Sequence, residues 1–137
     1  MPKIKRPALI IVGIAFTIFT GFFVFLRFSV PGEKAMLEKI SALEKTQPTS
    51  CPEAFEREGL LVELTRVALA YKSNANHKEA TPYFLRVVEL QKQLCGANYS
   101  GVIGPMTLLA ENYDLEGSAE KAALVRKEIQ RLKEELQ

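Results

Sequence analysis

Residues 8–26, ALIIVGIAFTIFTGFFVFL, run for 19 residues without a charge. As a helix, that length crosses a hydrocarbon core of roughly 30 Å. Lys3, Lys5 and Arg6 precede the run, and Arg27-Phe28-Ser29-Val30-Pro31-Gly32 follows it. A removable secretory signal has a shorter apolar region and a small-residue cleavage site. Neither is present, so the stretch reads as an uncleaved single-pass transmembrane helix over residues 8–30, after a basic tail at 1–7. Arg27, Lys34 and Lys39 nearly balance the cations in front. The compact cluster abutting the apolar run favours a cytoplasmic amino terminus and an exported remainder, periplasmic in a bacterium. Gly13, Thr17 and Gly21 recur every four residues. They place small side chains on one helical face, where a second helix can approach closely. Phe16, Phe19, Phe22, Phe23 and Phe25 suit the lipid on the other faces.

At 137 residues, one domain is expected. An apolar fraction of 47% excludes a disordered chain, and 8 Gly with 7 Pro exclude a collagen-like one. The formal charge of +2 rests on the first six residues. Without Lys3, Lys5 and Arg6, 15 basic residues face 16 acidic ones. No basic surface remains to gather phosphates, which argues against nucleic acid as a partner.

Beyond Gly32 the periodicity is helical. Leu37, Ile40 and Leu43 fall on one side of a helix over 34–45. Thr46-Gln47-Pro48-Thr49-Ser50-Cys51-Pro52 breaks it, closing a juxtamembrane segment at 31–52. A second helix is predicted over 52–72, with Glu53 and Glu56 near its positive end. A turn at 73–76 follows. The third helix is predicted over 77–94, its regular part starting near Ala80 because of Pro82. A fourth spans 102–115, and a fifth runs from 118 or 119 to the carboxyl end. The fifth carries the stripe Ala122, Val125, Ile129, Leu132 and Leu136.

Two segments superimpose at an offset of 42. Leu64-Thr65-Arg66-Val67-Ala68-Leu69-Ala70-Tyr71 matches Met106-Thr107-Leu108-Leu109-Ala110-Glu111-Asn112-Tyr113, and Ala80 matches Ala122. An alanine in each helix of a hairpin lets the pair cross closely, and the tyrosine fills the space near the turn. These residues resemble the tetratricopeptide repeat, in the longer form of kinesin light chains. Leu64, Val67, Ala68, Tyr71, Ala80, Phe84 and Val87 carry the first unit. Met106, Leu109, Ala110, Tyr113, Ala122 and Ile129 carry the second. Arg126 departs from the pattern, standing where Phe84 stands in the first unit. Lys92 stands in place of the proline that often ends the second helix, and no glycine occupies the Asn74–Asn76 turn, whereas Gly117 does. The expected fold is therefore all-α: one amino-terminal transmembrane helix, then a short tetratricopeptide-like stack over 53–137, with units at 53–95 and 101–137. Two such units are few, and apolar surface is left for a partner.

The resemblance implies a protein-binding groove on the first helix of each unit, at Thr65, Leu69, Lys72, Thr107, Glu111 and Asp114. This set lacks the Lys and Asn pattern that grips a terminal carboxylate in chaperone-binding members. Cys51 and Cys95 are the only cysteines. Both fall at the open end of the 52–72/77–94 hairpin, within reach of a disulfide, which implies an oxidising compartment.

No chemistry is legible in the chain. It has no phosphate loop, no HExxH and no nucleophile elbow. Two cysteines and a distant His77 make no metal set, and His77 reads as an exposed turn residue. Asn98-Tyr99-Ser100 fits the glycosylation pattern of a eukaryotic secretory protein. The reading is a membrane-anchored scaffold that works by contact. Its partners are other proteins, among them membrane-complex subunits, and the bilayer; it takes no cofactor, metal or small-molecule substrate. One alternative is an accessory subunit held in a membrane complex by the Gly13/Thr17/Gly21 face. The other is an enzyme with an unfamiliar helical site.

Overall fold

A computed structural model describes residues 30–46, 50–51 and 59–137, and among these there is no strand. Among the described residues five α-helices are bounded: α1 Glu33–Glu44, α2 Leu60–Ser73, α3 His77–Cys95, α4 Ile103–Glu116 and α5 Ala119–Glu135. A 3-10 turn, Ser100–Val102, leads into α4. Each helix packs on the next in chain order. One continuous core runs through them, from Ile40 through Leu64, Val67 and Phe84 to Met106, Leu109 and Leu132.

The expected all-α fold with a transmembrane helix needs correction. Among the described residues no helix is long and apolar enough to cross a membrane. The physical reason lies in their amphipathicity. Even α3, at 19 residues, carries Lys78, Glu79, Arg86, Glu89 and Lys92. The predicted basic tail at 1–7 and the span with its Gly13, Thr17 and Gly21 face lie outside the described residues. Val30, assigned to the carboxyl end of that span, is not helical. It is buried in the core of the helical array, and its carbonyl accepts from Glu33 N–H at 3.0 Å.

Other boundaries shift for local reasons. The second helix begins at Leu60, where Gly59 is extended (φ −73°, ψ 164°) and its carbonyl accepts from Glu63 N–H. Glu53 and Glu56 lie outside the described residues. The third helix starts at His77, as predicted, and is helical from there and not only from near Ala80. Pro82 is its sixth residue and is exposed, so the missing donor removes one early hydrogen bond without ending the helix.

The two hairpin turns are built alike. In the first, Asn76 N–H donates to Tyr71 C=O at 2.9 Å and Ala75 N–H to Lys72 C=O at 3.1 Å. In the second, Ser118 N–H donates to Tyr113 C=O at 2.7 Å and Gly117 N–H to Asp114 C=O at 3.0 Å. Both are Schellman closures, which need a left-handed residue just past the helix. Gly117 meets that need at φ 85°; Ala75 meets it at φ 58°, despite its Cβ. The alanines expected at the crossings are sealed: Ala68, Ala80 and Ala122 have no exposed surface, and Ala110 is 1% exposed. Tyr71 and Tyr113 are buried beside the turns.

Three polar side chains are buried in this interior. Glu63 on α2 accepts from Lys39 of α1 at 2.7 Å and from Arg66 at 2.6 Å. Asn112 on α4 donates to the His77 carbonyl at 2.8 Å and to the Thr81 hydroxyl at 2.9 Å. The Thr81 hydroxyl donates to Glu116 at 2.6 Å, so a polar chain joins the start of α3 to the end of α4. Gln91 on α3 is the third.

Candidate functional site

Three of the six expected groove residues, Thr65, Leu69 and Lys72, follow at helical spacing on α2. Thr107, Glu111 and Asp114 repeat the arrangement on α4. The structure joins the two sets at one point. Lys72 Nζ donates to Glu111 Oε2 at 2.7 Å, an ion pair that spans the two hairpins. Thr65 and Thr107 each return their hydroxyl to their own helix, to the Leu61 and Ile103 carbonyls at 2.8 Å. Asp114 goes elsewhere. Its carboxylate is engaged by Arg126 of α5, and that hydrogen bond holds its pKa below the ordinary carboxylate value.

Thr65 and Leu69 open into a cavity of about 350 Å³, together with Leu61, Val62, Arg66 and Gln91. Leu69 is 39% exposed, a large apolar side chain left at the surface. The four additional lining residues were not anticipated. Leu61 and Val62 were findable, since they stand four and three residues before Thr65 on the same helix. Gln91 was not, because only the packing of α3 on α2 brings it there. A larger open hollow of about 680 Å³ lies beside α1, lined by Val30, Glu33, Leu37 and Ser41 among others, and none of the candidate groove residues touches it.

The expected disulfide is present. Cys51 and Cys95 are bonded at 2.02 Å, with α-carbons 4.9 Å apart and a sequence separation of 44. His77 differs from its reading as an exposed turn residue. It is the first residue of α3, half-buried, and its Nδ1 is enclosed without a hydrogen-bond partner. Among the described residues no group of three or more His, Cys, Asp or Glu side chains is placed to hold a metal ion.

Charge on the last helix is organised along its outer surface. Arg131 pairs with Glu128 at 2.8 Å and with Glu135, and Lys92 of α3 approaches Glu128 at 3.5 Å. The hydrogen bond from Arg131 is the main reason the Glu128 pKa falls to about 2. At the other end of the array, burial and the bond to Glu33 push the Tyr71 hydroxyl well above its ordinary value. No family model matches this chain, and neither does any curated protein or solved structure.

Proposed function

We propose that the chain is a protein-binding scaffold of the tetratricopeptide-like kind. It acts at a membrane surface, to which the uncharged stretch at 8–26 directs it. The observation that carries this reading is the open apolar cavity at Thr65 and Leu69, on the same helix face as the Lys72–Glu111 pair. An exposed leucine beside an apolar hollow is a surface that a partner's side chain can desolvate, and desolvation of such anchors dominates binding energy. The two turns, alike at an offset of 42, support the likeness of the hairpins to tetratricopeptide units. The Cys51–Cys95 bond supports a domain on the exported, oxidising side. The mechanism is contact together with raised effective concentration at the membrane, without a chemical step.

The test is co-purification from native membranes in mild detergent, wild type against Leu69→Glu. Leu69 is partly exposed, so the variant keeps the helical circular-dichroism spectrum. A partner lost by Leu69→Glu and retained by Leu124→Glu, a change at an exposed leucine on α5, supports the groove. Equal recovery with both variants refutes it. Recovery of the chain in the soluble fraction after carbonate extraction refutes the membrane placement.

A further inference from the structure

Helix α1 is attached differently from the rest of the array. Of its own residues it buries one, Ile40, with Met36, Leu37 and Leu43 partly buried against the core and Val30 buried just before it. Helix α2, only two residues longer, buries Leu60, Leu61, Glu63, Leu64, Val67, Ala68 and Tyr71. Two polar side-chain contacts add to this packing: Lys39 to Glu63 at 2.7 Å, and the Tyr71 hydroxyl to Glu33.

Both groups that α1 grips have a second partner inside the α2–α3 hairpin. Glu63, 1% exposed, also holds Arg66 at 2.6 Å, and the Arg66 side chain is 55% exposed. The Tyr71 ring lies on the Tyr83 ring of α3, with centroids 5.5 Å apart and planes within 18°. A buried carboxylate stripped of every cation would be strongly destabilising. Here the departure of α1 leaves Glu63 with Arg66 and leaves Tyr71 stacked.

The disulfide sets how far α1 can travel. Six residues, 45–50, lie between the end of α1 and Cys51, which is bonded to the last residue of α3. Fifteen residues, 45–59, separate α1 from α2. With the bond formed, the shorter connection tethers α1.

We propose that α1 is a releasable strap. It opens as a unit of its own, uncovering the Glu63–Tyr71 stretch of α2, and the Cys51–Cys95 bond restrains the opening. Such sub-global opening is read by amide exchange.

The experiment is hydrogen–deuterium exchange of the full chain in detergent micelles, followed by mass spectrometry of peptides from α1, α2, α4 and α5. In the wild type, α1 exchanges about tenfold or more faster than the slowest amides of α2. Lys39→Met keeps the aliphatic stem, removes one polar contact and speeds exchange in α1 by about fivefold, leaving α4 and α5 unchanged. Ile40→Val, a milder change at the one buried position of α1, moves α1 in the same direction. Reduction with a phosphine removes the shorter connection and speeds exchange in α1, leaving α4 and α5 unchanged. Protection of α1 equal to that of α2 in the wild type overturns the proposal. So does a loss of protection that spreads equally over α1, α4 and α5 in Lys39→Met.

Discussion

The α2–α3 and α4–α5 hairpins turn through the same hydrogen bonds, 42 residues apart, and cross on the same pairs of alanines. Their second helices diverge. In α3, Phe84 is 1% exposed and fills the space between helices; at the matching place in α5, Arg126 reaches out to Asp114. The first hairpin is closed at its open end by a disulfide and carries a buried carboxylate. In the second, Lys121 lies over the Tyr113 ring at 5.5 Å, and ion pairs line the surface of α5. One backbone plan therefore supports two interiors: the first is held by burial and a covalent bond, the second by apolar packing under a charged skin. Burial of a large ring stabilises far more than an exposed ion pair does.

The sharpest way to break this comparison is to truncate the matched pair. Phe84→Ala is expected to cost about 3–5 kcal/mol in urea unfolding, whereas Arg126→Ala leaves the transition midpoint unchanged. Equal effects would mean that the two positions are equivalent in packing and would break the comparison. Next comes the covalent difference. The double change Cys51→Ser with Cys95→Ser, or full reduction, should lower unfolding stability by about 4 kcal/mol, since the bond closes a loop of 44 residues. Amides of α2 and α3 should lose more protection than those of α5.

The turns give a smaller and symmetrical test. A Cβ at Gly117 would meet no atom within 4 Å, so Gly117→Ala carries only the strain of φ 85°, about 1 kcal/mol. Ala75→Gly relieves the same strain in the first hairpin and should raise the midpoint by an amount equivalent to about 0.5–1 kcal/mol.

The smallest effect is electrostatic. Glu128 titrates at about 2 in the folded chain, below its ordinary 4.5, so its pairing with Arg131 contributes fully above about pH 4.5. That contribution is lost as pH falls towards 2. Arg131→Ala should flatten this part of the stability–pH profile, with a shallow change because the pair is exposed. Asp114, lowered by Arg126, follows the same sign. A profile unchanged by Arg131→Ala would remove the ion pair from the account of α5.

Much of this architecture was written in the chain. Periodicity at 3–4 residues marked every helix from α1 to α5, because a helix that packs on one side must repeat its apolar residues at that interval. The offset of 42 marked the two turns, and the positions of Cys51 and Cys95 at one end of a hairpin marked their bond. Local chemistry is enough for these features, since each depends on residues near one another in sequence or on the length of one hairpin. The cavity at Thr65 and Leu69 was legible in part: its α2 residues follow from helix spacing, and Gln91 does not. Tertiary packing alone decided that Val30 turns into the core, that Asp114 leaves the groove for Arg126, and that Glu63 is buried between two cations. Sequence spacing says which face of a helix a residue occupies; only the position of the neighbouring helix says what that face meets.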